Sequence, residues 1–290
     1  DDSIASNTWR DAAGRVIKVQ GGQFEKTAYD RLGRATKRFI LAKSNDTGYG
    51  DADDVSGDHL LEEHQTVYES SNSDNVLMTV ALNEIHNVSS GTGALDSGAD
   101  NDPLMVTAAN LTGRAQITAM CYDSLDRVID TVHYGTYGGS DFDRDGLSVP
   151  TRSDTALRTT TAYNEDGTVL SVEAPGKPSA PTGTSGTITR YEYDDLGRQT
   201  KVINNYADGT PGGGTNSDED QTIKYEFAKG LMTKMIADLS GTDQETLYIY
   251  GSTAGTPAAM KITTGNLLRA VKYPDSGNAG TDLEDIDSDS

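Results

Sequence analysis

The chain has 290 residues, enough for one large β domain or two ordinary domains, and its apolar content of 34% predicts a thin core. Its 45 acidic residues outnumber its 24 basic residues, and the net charge of −21 makes nucleic acid and anionic lipid unfavourable partners. A single cysteine, Cys121, excludes an intrachain disulfide, and no apolar run reaches the roughly 18–20 residues of a membrane span.

One short pattern recurs along the chain. In chain order its copies are "RDAAGR" (10–15), "YDRLGR" (29–34), "YESSNSDN" (68–75), "YDSLDR" (122–127), "YNEDGT" (163–168), "YDDLGR" (193–198) and "YEFAKG" (225–230). The first copy lacks the leading tyrosine, and the copies at 68–75 and 225–230 are the most altered. Such self-similarity is typical of a serially repeated architecture.

Each copy lies between stretches that alternate apolar and polar residues, as in "TITRYEY" and "RQTKVI" around 193–198. Period-two alternation on both sides of a short turn predicts a β-hairpin. The aspartate can accept a backbone N–H two residues further on, and the glycine tolerates the positive φ of a turn with a bulge. The predicted turn residues are Tyr29, Asp30, Gly33, Arg34, Tyr122, Asp123, Tyr163, Gly167, Tyr193, Asp194, Gly197 and Arg198.

Two details of the pattern carry further predictions. Asp126 stands where other copies have glycine, and aspartate is among the few residues that visit the left-handed region, so we expect the turn to persist. We also expect the arginine after each turn to lie against a neighbouring aromatic ring.

The repeats are interrupted by polar, glycine-rich segments, which we interpret as insertions at hairpin ends. They are 44–58, 90–103, 137–146, 174–186 and 207–220. The best helical candidate, "DHLLEEHQ" at 58–65, runs directly into "TVYES", so we expect a strand there. The acidic segments 44–58 and 281–290 are expected to be solvated loops, with cation binding as an alternative. Together these features predict an all-β chain of serial antiparallel hairpins forming one scaffold over residues 1–290.

The motifs "YDRLGR", "YNEDGT" and "YDDLGR" resemble YD repeats, the units of bacterial Rhs proteins, of the shells of insecticidal toxin complexes and of teneurins. The segment "LYIYGSTAG…GNLLRAVKYPDSG" (247–277) is also similar to large bacterial YD-repeat proteins. The resemblance implies long hairpins that wind as a spiral or curved sheet, a partial β-shell, which in well-known members encloses a toxic C-terminal segment.

The chain departs from that family in two ways. "DPLMV" at 102–106 has only the Asp-Pro of the self-cleaving Rhs core signature, and the chain is too short to close a complete shell. With an opening of "DDSIAS" and no Met, we expect an internal fragment of a repeat region.

A calcium site is one hypothesis for "DFDRDGLS". Asp141, Asp143 and Asp145 stand at alternate positions before a glycine, as in the opening of a calcium loop, but the twelfth position is Arg152 instead of glutamate. A solvated turn is the alternative. Apart from Ca²⁺, no cofactor is expected.

We expect no enzyme activity. His59 and His64 have the wrong spacing for a zinc hydrolase, and His86 and His133 have no neighbouring ligand pattern. No nucleophile elbow, phosphate loop or dinucleotide fingerprint is present. Cys121 precedes Tyr122 on a predicted strand, where a small buried apolar residue is the better interpretation.

Three functions remain open from the sequence. The first is a structural scaffold of a secreted or cell-surface bacterial protein, acting as shell wall or as a self-assembling fibre or tube. The second is a cocoon segment around a C-terminal toxin. The third is a carbohydrate-binding module whose platforms are the tyrosines and Trp9, against cross-strand aromatic packing as the alternative. The partners are copies of the chain, the rest of a longer chain, or a surface carbohydrate.

Overall fold

The structure is a computed structural model of the chain. It describes residues 6–21, 23–44, 46, 48–55, 57–70, 73–84, 105–106, 114–137, 142–143, 152–153, 155–176, 186–207, 209–210, 219–239, 243–251 and 265–274. Within those ranges there are 18 β-strands, one short 3-10 helix (Tyr49–Asp51) and no α-helix. No helix long and apolar enough to cross a membrane occurs in the same ranges.

The strands have between two and twelve residues each. They are β1 (Asn7–Arg10), β2 (Val16–Gln20), β3 (Phe24–Tyr29), β4 (Ala35–Lys43), β5 (His59–Ser70), β6 (Ser73–Asn83), β7 (Met105–Val106), β8 (Arg114–Tyr122), β9 (Val128–Tyr137), β10 (Phe142–Asp143), β11 (Leu157–Tyr163), β12 (Val169–Glu173), β13 (Ile188–Tyr193), β14 (Gln199–Asn204), β15 (Gln221–Ala228), β16 (Leu231–Asp238), β17 (Gln244–Tyr250) and β18 (Leu268–Lys272).

Strand pairing follows chain order. A 16-stranded sheet has the order β1-β2-β3-β4-β5-β6-β8-β9-β11-β12-β13-β14-β15-β16-β17-β18, and β7 pairs with β10 in a separate two-stranded sheet. The described registers are antiparallel. The prediction of an all-β chain of serial antiparallel hairpins is therefore confirmed, and residues 59–65 lie on β5, as expected, and not in a helix.

The chain groups into two compact units. The first comprises Asp1–Thr161 and Ala174–Gly186, and the second comprises Ala162–Glu173 and Thr187–Ser290. That residues 1–290 act as a single scaffold stays a prediction.

The first unit has a continuous apolar core on one face of β4, β5, β6 and β8. Its buried members are Phe39, Leu41, Leu60, Met78, Val80, Leu82, Ala115 and Ile117. Cross-strand register explains the cluster, because Leu41 lies opposite Leu60 and Val80 lies opposite Ile117. Side chains that alternate along a strand point to opposite faces, so this face collects the apolar set.

The second unit has fewer buried apolar side chains among its described residues. Ile203 and Ile236 are buried, and the buried residues of this unit also include the polar Thr246 and Thr222, which lies opposite Ile203. Most strand residues in this unit are only half-buried. The thin core predicted from composition is therefore most evident here.

The five predicted insertions share one topological position. Each falls between one hairpin and the next, whereas the motif turns join the two strands of a hairpin. Residues 44–58 connect β4 to β5, and residues 207–220 lie between β14 and β15. Segment 90–103 lies outside the described residues, and only parts of 137–146, 174–186 and 207–220 are described.

Glycine at the end of the motif turn is a stability determinant. Gly197 has φ 74° and nothing within 4 Å of an added Cβ, so Gly197→Ala tests the backbone alone. We expect a loss of about 1–2 kcal/mol, because an L side chain is disfavoured in the left-handed region. Asp126→Gly is the matched control, since Asp126 has φ 59° in the same place. That variant relieves the backbone but removes the 2.8 Å bond from Asn75, so we expect a change within about 0.5 kcal/mol. Urea unfolding followed by circular dichroism measures both, and equal losses in the two variants would contradict the argument.

Candidate functional site

The turn at Asp30 shows how the motif builds a hairpin end. The backbone N–H of Gly33 donates to the carbonyl of Asp30 at 3.0 Å, and the N–H of Asp30 donates to the carbonyl of Arg34 at 3.0 Å. Asp30 Oδ1 accepts the N–H groups of Leu32 and Arg34, and Arg34 Nε donates to Asp30 Oδ2 at 2.7 Å. One carboxylate therefore organises the turn and also orients the arginine that follows it.

The same set of bonds recurs at other copies of the motif. Equivalent carboxylates are Asp11, Asp123 and Asp194, each paired with the arginine four residues later. The hydrogen bond from Arg198 is the main cause that holds the pKa of the Asp194 carboxyl below its usual value. At Asp30, burial raises the pKa, but the N–H and guanidinium of Arg34 outweigh it and the net pKa is lowered. The bonds of this turn thus stabilise the charged form of its aspartate.

The copy at 163–168 builds the same turn with different atoms. Asn164 keeps the two backbone bonds of the turn, with Gly167 and with Thr168. Asp166 Oδ1 accepts the N–H of Thr168 at 2.9 Å and its hydroxyl at 2.6 Å, and the hydroxyl bond lowers the pKa of Asp166. Asp166 was not among the predicted turn residues, because the motif predicts the carboxylate at the position after the tyrosine, which is Asn164 here.

The arginine of one turn reaches the aromatic ring of the next hairpin. Arg15 lies over the Tyr29 ring at 4.7 Å, and Arg34 lies over the Tyr68 ring at 4.1 Å. Arg34 Nη1 also donates to the backbone carbonyl of Ser73. In the second unit Arg198 lies over Phe227 at 4.5 Å. Each stack adds cation–π attraction between neighbouring hairpins.

The tyrosine hydroxyl completes the contact in the reverse direction. Three tyrosine hydroxyls each donate to a backbone carbonyl of the preceding hairpin. The acceptor lies at or near the start of the second strand of that hairpin. The pairs are Tyr29 to Val16 at 2.9 Å, Tyr68 to Ala35 at 3.2 Å and Tyr122 to Val76 at 2.9 Å. We call this arrangement of arginine, ring and carbonyl the turn–aromatic junction.

Described residues of the acidic segment 44–58 lie against β2 and β3. Lys18 Nζ lies 2.6 Å from Asp46 Oδ2, and Lys26 Nζ lies 2.7 Å from both Asp46 Oδ1 and Asp58 Oδ2. Of these side chains, Lys26 is 2% exposed and Asp58 0% exposed. Lys26 also donates to the backbone carbonyls of Asp51 and Asp54. We call Lys18, Lys26, Asp46 and Asp58 the lysine clasp.

The lysine clasp corrects one prediction. A solvated loop was expected over 44–58, and this is wrong for Asp46 and Asp58, which are buried ion-pair partners. The physical reason is that Lys18 and Lys26 face each other on β2 and β3 and place two ammonium groups under the segment. Buried charges persist only when they are paired, and the loop supplies the counter-charges.

The contribution of Asp46 to the stability of the lysine clasp is expected to disappear at acid pH. Burial raises the pKa of its carboxyl, but hydrogen bonds from Lys18, Lys26 and Ser44 outweigh burial and lower the net pKa from its usual 3.8. A carboxyl whose pKa falls on folding stabilises the fold above its unfolded pKa, and the contribution disappears as pH falls through the folded pKa. We expect Asp46→Asn to be less stable than the parent chain near pH 6 and similar to it below the folded pKa. Urea titrations at a series of pH values measure this, and a pH-independent difference would contradict it.

A buried aspartate closes the connection between β14 and β15. Asp220 is 0% exposed, and its Oδ1 accepts the N–H groups of Ala207 and Gly209, both at 2.9 Å. Its own backbone, at φ 55°, donates to Asn205. Sequence reasoning missed this residue because it stands in a run of acids, "SDED", that shows no sign of which member turns inward.

The proposed calcium residues lie outside what the structure describes. Asp141 and Asp145 are not described, and of Asp143 only the backbone is described, on β10. Among the described residues, no group of three or more His, Cys, Asp or Glu side chains is arranged to hold a metal ion. The calcium hypothesis at these three residues therefore stays a prediction.

The histidines and the cysteine take different places in the sheet. His59 lies 3.2 Å from Glu84 and His64 lies 3.1 Å from Glu62, so the two histidines do not share a partner. His133 lies 3.0 Å from the Thr118 hydroxyl, and His86 is outside the described residues. Cys121 is buried on β8.

An open cleft of about 480 Å³ lies beside the junction formed by Arg34 and Tyr68. Its lining includes Leu32, Thr36, Val67 and Tyr68, together with the guanidinium-bearing Arg34. Trp9, the other candidate for sugar stacking, has Lys18 Nζ 4.8 Å from its ring centre. Both aromatic side chains therefore already have a cation against the ring.

Comparison with known proteins gives only a distant likeness. No family model and no curated protein matches the chain. Similar solved structures include TcdB2-TccC3, at 13% identity and a TM-score of 0.27 over 89% of this chain and 13% of that chain. They also include TcdB2-TccC3 without its hypervariable C-terminal region, at 13% identity and a TM-score of 0.27 over 90% and 13% of the two chains. TcdB2-TccC3-TEV is 12% identical, at a TM-score of 0.20 over 86% and 16%. The chain thus spans a small part of each of these three structures.

Proposed function

We propose that the chain is a non-enzymatic structural scaffold of YD-repeat hairpins, serving as a wall segment of a larger secreted or cell-surface protein. The supporting observation is the turn–aromatic junction, in which Arg34 stacks on Tyr68 and the Tyr68 hydroxyl returns to Ala35. The same arrangement joins the preceding pair of hairpins through Arg15, Tyr29 and Val16. Each motif thus stabilises its own turn and also fixes the next hairpin.

A scaffold of this kind is built by nearest-neighbour contacts. Where each unit contacts only the next, stability is approximately a sum of unit terms and interface terms, and a sheet grows by adding hairpins. Shell wall, toxin cocoon and fibre all use such a sheet. They differ in what pairs with its two edge strands.

Carbohydrate binding is less well supported for the junction tyrosines. The rings of Tyr29 and Tyr68 each carry an arginine, and their hydroxyls donate to backbone carbonyls. Sugar stacking needs an exposed ring face and benefits from a free hydroxyl. Cross-strand packing therefore accounts for these residues better than a sugar platform does.

The buried charges that the structure describes also suit a scaffold. Glu63 is paired with Lys37 at 3.2 Å, and Asp130 is paired with Arg158 at 2.6 Å. Thr160 donates its hydroxyl to the same Asp130 oxygen as Arg158 does. These groups neutralise one another across strands, which is a structural use of charge.

Limited proteolysis followed by native size-exclusion chromatography tests the proposal. If junctions hold the hairpins together, cleavage in the connections between hairpins leaves the fragments associated in one native peak. Denaturing gels then show that the backbone is cut. Fragments that separate under native conditions would contradict the scaffold. A sugar that raises the Tm saturably, with the effect lost in Tyr68→Ala, would favour the carbohydrate-binding alternative.

A further inference from the structure

The last strand of the large sheet repeats the geometry of a motif hairpin. Tyr250 lies opposite Leu268 with a register shift between Ile249 and Tyr250, as Tyr29 lies opposite Ala35 with a shift beside it. The N–H of Gly251 donates to the Leu267 carbonyl at 2.9 Å, the bond that Asp30 makes to Arg34. Leu268 is therefore equivalent to Ala35.

Three residues at this position in the first unit share a function at the junction. Val16, Ala35 and Val76 each offer a carbonyl to the tyrosine hydroxyl of the next hairpin. In the described sheet β18 pairs with β17 alone, so the same register directs the Leu268 carbonyl to the open edge. The acceptor half of a junction is thus present there.

Exposed apolar side chains lie at the start of β18 and on either side of it. Leu267 is 53% exposed, Leu268 is 49% exposed and Tyr273 is 71% exposed. Leu267 stands where Arg34 stands in its own hairpin, so an aromatic ring that docks here meets an aliphatic side chain. An unpaired strand with exposed apolar residues is a template for strand addition.

The opposite edge of the sheet differs. Arg10 on β1 occupies the tyrosine position, because it lies opposite Val16 with a register shift beside it. Its guanidinium donates to the carbonyl of Gly14, in its own turn, at 2.8 Å. β1 therefore offers no phenol to the β18 edge of a second copy, and a junction formed there would lack its hydroxyl bond.

We propose that the β18 edge docks a β-hairpin that carries a tyrosine at the junction position of its first strand, and that Arg10 excludes β1 of a second copy from this site. The proposal rests on the proposed scaffold function and deepens it. Its consequence is that the partner is a different tyrosine-bearing hairpin, and that copies of this chain do not stack head to tail.

Sedimentation velocity on the intact chain tests both halves of the proposal. Salt of about 0.5 M screens the charge of −21, so that repulsion between copies does not decide the result. The parent chain is expected to sediment as a monomer. Arg10→Tyr supplies the missing phenol to β1, and we expect it to self-associate about tenfold more tightly than Arg10→Phe, the value of one hydrogen bond.

Two further variants complete the test. Leu268→Lys places a charge on the docking edge and is expected to abolish association in the Arg10→Tyr background. If Arg10→Tyr folds poorly by circular dichroism, Arg10→Trp replaces it, because its indole N–H can donate to the Leu268 carbonyl, and it carries the same expectation against Arg10→Phe. Equal association of Arg10→Tyr and Arg10→Phe would overturn the docking role of Leu268, and head-to-tail association of the parent chain would overturn the exclusion by Arg10. Neither result depends on whether proteolytic fragments stay associated, so failure here is distinguishable from failure of the scaffold.

Discussion

Replacing Lys26 with methionine is expected to lower the free energy of unfolding by about 3–5 kcal/mol, the usual cost of removing one partner from a buried ion pair. Lys26 is 2% exposed and lies 2.7 Å from carboxylate oxygens of both Asp46 and Asp58. Methionine fills a similar volume but leaves the charge of Asp58 without its ammonium partner. Urea unfolding followed by circular dichroism measures the loss.

Two controls separate charge from packing. Lys43→Met changes an exposed lysine on the adjacent β4, and we expect it to change stability by no more than about 0.5 kcal/mol. Lys26→Met combined with Asp58→Asn removes the uncompensated charge, while Asp46 keeps its partner Lys18, and is expected to recover part of the loss. If the double variant is less stable than Lys26→Met alone, the charge argument is wrong.

The contribution of Lys26 to the stability of the lysine clasp is expected to disappear at alkaline pH. Burial lowers the pKa of Lys26, but hydrogen bonds and attraction from Asp46 and Asp58 outweigh it, and the net pKa is raised from its usual 10.5. A group whose pKa rises on folding stabilises the fold below its unfolded pKa and loses that contribution as pH rises through the folded pKa. The difference between the parent chain and Lys26→Met is therefore expected to persist at neutral pH and to shrink only above about pH 10.5.

Local chemistry explains how much of the fold could be predicted. Asp-x-x-Gly contains within four residues both the acceptor and the positive-φ position that a turn needs, so Asp30 and Gly33 predict the hairpin from sequence alone. Alternation on both sides then gives the strands. Strand order follows because serial hairpins pair with their neighbours in the chain.

The lysine clasp could not be predicted because its partners are distant in sequence. Lys26 and Asp58 are separated by 32 positions, and nothing near Asp58 distinguishes it from the solvated acids around it. Lys18 and Lys26 look like ordinary polar residues of alternating strands. Only the register of β2 against β3, with segment 44–58 above them, makes them buried.

The turn–aromatic junction could be predicted from the sequence only in part. The expectation that a turn arginine meets a neighbouring ring follows from the motif, and the structure has Arg34 over Tyr68. The return bond from the hydroxyl to Ala35 depends on the distance between hairpins, which no local pattern contains. Arg10 occupies the tyrosine position of its hairpin, and the sequence alone does not show that a hydroxyl bond is missing there.

Junction strength is best measured by a double-mutant cycle on Arg34 and Tyr68. Arg34 is 14% exposed at its side chain, lies 4.1 Å from the ring centre and donates to Asp30 at 2.7 Å. We expect Arg34→Met to cost about 2–3 kcal/mol, from a charged hydrogen bond and a cation–π contact. Tyr68→Leu removes the ring and the hydroxyl bond together. A coupling energy of about 0.5–2 kcal/mol is expected between the two sites.

Arg198 and Phe227 supply the matched cycle, because that junction has the stack at 4.5 Å but no hydroxyl. If the stack is what couples neighbouring hairpins, the two cycles give similar coupling energies, and Tyr68→Phe alone costs about 1 kcal/mol for the bond to Ala35. Additive behaviour in both cycles would mean that arginine and ring stabilise their own hairpins independently. The motif would then specify turns without linking them, and the sheet would owe its order to backbone pairing alone, a result that would remove the main support for the scaffold.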